Sequence, residues 1–69
     1  MKTKKEVLQE LIERSEETLM RIELRMGFVQ NKYAATNGKH ELEELAQLTA
    51  DQKEHNEWLA YLQAQLAKQ

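Results

Sequence analysis

The sequence has no cysteine, no proline, and glycine only at Gly27 and Gly38. Without cysteine, neither a disulfide framework nor a thiolate zinc site can form. Without proline, and with so little glycine, few points along the chain can break a helix or demand a tight turn. Aromatic residues make up 6% of the chain. No segment approaches the ~18 consecutive apolar residues that a membrane span requires, and Met1–Gln9 lacks the apolar core of a secretory signal peptide. A cytoplasmic protein with no membrane partner is expected on these grounds. Formal net charge is −2, so no strong positive field draws the chain to nucleic acid.

What the chain does contain is helix-forming. Ala, Glu, Lys, Leu and Arg supply 38 of its 69 residues, the composition of long helices and coiled coils. Its length sets a single domain, residues 1–69. A core this small rarely supplies more than ~3–5 kcal/mol, so regular helix packing or oligomerisation is expected to support it.

Apolar residues recur in alternating steps of three and four through the first half. Ile12, Leu19, Met26 and Tyr33 occupy heptad a positions, and Leu8, Ser15, Ile22, Val29 and Thr36 occupy d positions. Four heptads in unbroken phase predict one helix over about 4–36. Asn37-Gly38 is the strongest turn signal, because glycine enters the left-handed region freely and asparagine tolerates it. Beyond it, Leu45, Leu48, Gln52, His55, Leu59, Leu62 and Leu66 form a second seam with a polar centre, predicting a helix over about 39–67. The expected fold is all-α: an antiparallel helical hairpin of two long helices, dimerising into a four-helix bundle because two helices alone leave their seams open on the sides. The seam residues Leu8, Ile12, Leu19, Ile22, Met26, Val29, Leu45, Leu48, His55, Leu59, Leu62 and Leu66 would carry that oligomer. The alternative is three helices with a break near Thr49, because Thr49-Ala50-Asp51-Gln52 has the form of a capping box. With the turn at Gly38, residue i is expected opposite residue 76 − i, which sets Ser15 against the Trp58–Leu62 region.

Met20, Leu24 and Phe28 recur every four residues, nearly opposite the first seam, with Gly27 beside them. Large apolar side chains on an otherwise polar face suit a protein contact. Trp58 and Tyr61 on the second helix, near Asp51, Glu54 and Glu57, form another candidate contact. Arg14, Arg21, Arg25 and Lys32 share one flank of the first helix. Glutamates interrupt them, so they suit charge pairing between helices better than phosphate binding. His40 and His55 lie 15 residues apart and lack the Glu-x-x-His spacing of carboxylate-bridged metal bundles. Ser15 is the only serine and lies on the seam. No catalytic residues, metal ligands or cofactor are expected.

These features point to a small non-enzymatic protein-interaction module, a regulator or inhibitor docking on a larger protein, with a homodimer as the expected state. The alternative is a structural self-assembly protein with homotypic contacts only. The third reading, weak nucleic-acid binding through the Arg/Lys flank, has the least support in the sequence.

Overall fold

In a computed structural model covering residues 1–69, the chain forms two helices, α1 (Lys4–Thr36) and α2 (Lys39–Ala67), packed along each other as an antiparallel hairpin 50 Å long. α1 begins with a side-chain cap. The Thr3 backbone is extended and its hydroxyl oxygen accepts the Glu6 amide N–H at 3.2 Å. The hydroxyl in turn donates to the Glu6 carboxylate. Thr3-Lys4-Lys5-Glu6 is therefore a Thr-x-x-Glu cap, and its signature was there to be read in the sequence.

Thr49 behaves differently. Its hydroxyl donates to the Leu45 carbonyl at 2.8 Å, and α2 runs through it without interruption. The three-helix alternative is overturned. A capping threonine must sit on extended backbone so that its oxygen can reach the free N–H groups of a new helix. Thr49 is already inside an apolar seam that stays in phase on both sides, and its hydroxyl bonds back along the helix instead.

The turn also departs from expectation. Asn37, not Gly38, takes the left-handed conformation, at φ 51° and ψ 33°, while Gly38 is extended at φ −75°. The Asn37 N–H donates to the Tyr33 carbonyl at 2.7 Å, and the Gly38 N–H donates to the Thr36 hydroxyl. The Glu41 carboxylate folds back over Gly38 and would have to swing aside for an added Cβ, a movement open to the end of a flexible side chain.

A heptad pattern, restarted in its own phase in α2, sorts both helices into matching rows. The central row contains Leu8, Ser15, Ile22 and Val29 on α1, and Leu48, His55 and Leu62 on α2. Leu8, Ser15, Val29 and Leu62 are buried, and the others are half-buried. On one side of this row lies an apolar flank: Ile12, Leu19, Met26 and Tyr33 on α1, and Leu45, Gln52, Leu59 and Leu66 on α2. Every residue of this flank is half-buried. The other side is a charged flank that includes Arg25, Lys32, Glu44 and Asp51. The Arg25 Nε donates to Glu44 across the hairpin at 2.6 Å, and Lys32 pairs with Glu41 at 3.7 Å. Antiparallel packing thus joins charged flank to charged flank, and the two apolar flanks lie together on the opposite side.

The side-chain partners across the hairpin differ from those level with them along the axis. The relation 76 − i would set Arg25 beside Asp51 and Lys32 beside Glu44. Their observed partners, Glu44 and Glu41, lie one to two helical turns nearer the bend. Long cationic side chains reach along the helix axis to these partners.

Candidate protein-contact surfaces

The seam residues give the hairpin its spine. The far side of α1 gives it an uncovered apolar surface. Met20 is 57% exposed, Leu24 77% and Phe28 55%. Four-residue spacing at 100° per residue advances them slowly around the helix, so they form one oblique stripe turned away from α2. Met20 and Leu24, with Glu23, line a shallow depression. Phe28 is held at the edge of the charged flank, where the Arg25 guanidinium lies 5.1 Å from its ring centroid. Arg25 therefore makes two contacts at once, a cation–π contact with Phe28 and the ion pair with Glu44. Gly27 sits between Leu24 and Phe28 with ordinary helical backbone, and an added Cβ would meet nothing within 4 Å. Packing inside the hairpin gives no reason for glycine there.

Trp58 and Tyr61 form a second, separate patch. Their rings stack with centroids 5.9 Å apart and planes 17° from parallel, and both remain largely exposed. Spacing of three brings them onto one strip of α2, on the charged-flank side and towards the open end of the hairpin. Val7, exposed near the start of α1, lies towards that same end. Val7 stands outside both seams, so the heptad periodicity carries no signal for it.

The electrostatics are those of a self-neutralised flank. Arg25 holds the Glu44 carboxyl below its ordinary range by hydrogen bonding and charge, and Glu44 raises the guanidinium in return. Lys2 lowers Glu10 through their hydrogen-bonded ion pair at the open end. Arg21 pairs with Glu17 of its own helix at 2.7 Å. Three of the four cations named as a possible phosphate-binding flank, Arg21, Arg25 and Lys32, are thus engaged by carboxylates, and Arg14 forms no ion pair.

His40 is exposed and His55 is half-buried in the central row of α2. No three side chains of the His, Cys, Asp or Glu type come together closely enough to hold a metal ion. No helix is long and apolar enough to cross a membrane. Comparison with protein-family models, curated proteins and solved structures finds no match to this chain.

Proposed function

We propose that this chain is a small non-enzymatic protein-interaction module, a regulator or inhibitor that docks on a larger protein through the outer face of α1. The observation that carries this reading is the exposed stripe Met20, Leu24 and Phe28 on a helix whose opposite face already packs against α2. Helix-in-groove recognition uses apolar anchors at this spacing, with surrounding charge setting orientation. The Arg25 guanidinium lies over the Phe28 ring, a contact that favours one placement of this aromatic anchor. The stacked Trp58–Tyr61 pair offers a second contact of the residue types enriched at interfaces.

The test compares wild type with Leu24→Glu/Phe28→Glu as immobilised bait. Both positions are exposed, so helicity by circular dichroism is expected to be unchanged. A partner retained by wild type and lost by the double variant supports the reading. Equal retention by both, or no retained protein at all, contradicts it.

A further inference from the structure

The stripe on α1 is one uncovered apolar surface, and the apolar flank of the hairpin is another. Seven of its eight side chains are large and apolar, it runs the length of both helices, and every member is left half-open to water. Leu42, the neighbouring residue towards the outer edge of α2, is exposed as well. A chain of this size builds only a thin core by itself, and here full burial of large apolar side chains is confined to the central row.

We infer that the apolar flank is the interface with a second copy of this chain, and that the two copies join with both turns at the same end of a four-helix bundle. Charge at the edges of the flank selects both the occupant and the orientation. Along α1 the edge carries Glu6, Glu13, Glu16 and Glu23 with no cation. Along α2 it carries Lys39 and Lys53 with no anion. All six are exposed, and none forms an ion pair within the hairpin. Two face-to-face arrangements have two-fold symmetry. With the turns at opposite ends, α1 lies on its own symmetry mate, acidic edge against acidic edge, with Glu16 of each copy nearly level with Glu23 of the other. With the turns at the same end, each α1 lies antiparallel on α2 of the partner, and the acidic edge meets the basic one. Like charges set against each other destabilise an interface and opposite charges fix its register. Both arrangements keep neighbouring helices antiparallel, but only the second avoids setting acidic edge on acidic edge, and it brings Lys53 level with Glu23 of the other copy.

The same orientation places the polar Gln52 of one copy at the same height along the bundle as Gln52 of the other. A polar position inside an apolar interface is the usual means of fixing register and oligomeric state. The stripe Met20, Leu24 and Phe28 lies outside this interface around Leu24 and Phe28, so self-association does not consume the surface proposed for a foreign partner.

The native chain has no cysteine, so a single Ala35→Cys near the turn can be spin-labelled uniquely. Residue 35 is exposed and lies outside the apolar flank. Sedimentation should give twice the 8.1 kDa chain mass. Pulsed dipolar spectroscopy should then give a label separation below about 35 Å, as follows from helix spacings of ~8–10 Å and both turns at one end. Turns at opposite ends would separate the labels by about 45 Å, at 1.5 Å of rise per residue. Glu23→Lys is expected to weaken the dimer severalfold, and adding Lys53→Glu to the same chain should recover most of that loss. A monomer at tens of micromolar, an assembly larger than a dimer, the longer label distance, or charge reversal without effect would each overturn the inference. Leu24→Glu/Phe28→Glu should leave the dimer mass and label distance unchanged, so failure of the docking stripe and failure of this interface remain distinguishable.

Discussion

Ser15 is 4% exposed, and its hydroxyl has no hydrogen-bond partner. A buried polar group without a partner costs about 1–3 kcal/mol, and alanine removes the hydroxyl at little cost in volume. Ser15→Ala is therefore expected to raise stability by about 1 kcal/mol, read as an increased urea midpoint at unchanged slope. Gly27 presents a parallel case on the surface. Its backbone is helical and space for a methyl group is open, so Gly27→Ala is expected to stabilise the fold by about 0.5–1 kcal/mol. If Gly27 serves close approach of a partner beside Leu24 and Phe28, the same change weakens partner binding while it stabilises the chain, and a joint measurement of melting and binding reads both. The Arg25–Glu44 pair gives the hairpin a pH dependence. Because Glu44 is lowered in the folded state, its contribution is present above about pH 5 and is lost as pH falls through the lowered value. Glu10 adds a change of the same sign. Glu44→Gln should flatten the fall in urea midpoint between about pH 5 and pH 3 without abolishing it.

At the scale of elements, two threonines that share only the Thr-x-x-Glu/Gln form do opposite things. Thr3 caps α1 from extended backbone and Thr49 sits inside α2. Thr3→Ala is expected to cost about 1 kcal/mol. Thr49→Ala is expected to be neutral or stabilising by a few tenths of a kcal/mol, because threonine is the weaker helix former. Thermal melts of the two variants check the contrast. It also shows what was legible in the sequence and why. The helix spans were legible because a seven-residue apolar period over four heptads leaves no other regular structure. Continuity through Thr49 followed from the phase of Leu45, Leu48, Gln52 and His55, not from the motif at Thr49 itself. The conformation of the turn was not legible. Asn37 and Gly38 can both bend the chain, and both residue types tolerate the left-handed conformation that Asn37 takes. The pairing of Arg25 with Glu44 rather than Asp51 was equally hidden, because a long exposed side chain can reach partners up to two turns along the axis.

For the whole molecule, the hairpin separates three surfaces that the sequence showed only as rows of residues. The charged flank is joined by ion pairs, the outer face of α1 bears an apolar stripe, and the apolar flank stays half-covered along 50 Å. Met20, Leu24 and Phe28 were legible as exposed because they fall out of phase with the seam. The division of the seam into a buried row and an open flank needed the structure, because it depends on which sides of α1 and α2 come together. The central claim is that a second copy covers the open flank. It is tested most directly by the thermal midpoint of the wild-type chain as a function of its concentration. A folded state completed by a second copy is stabilised by mass action, so the midpoint should rise steadily as concentration increases from about 1 to 100 µM. A midpoint that stays constant over that range would contradict the account.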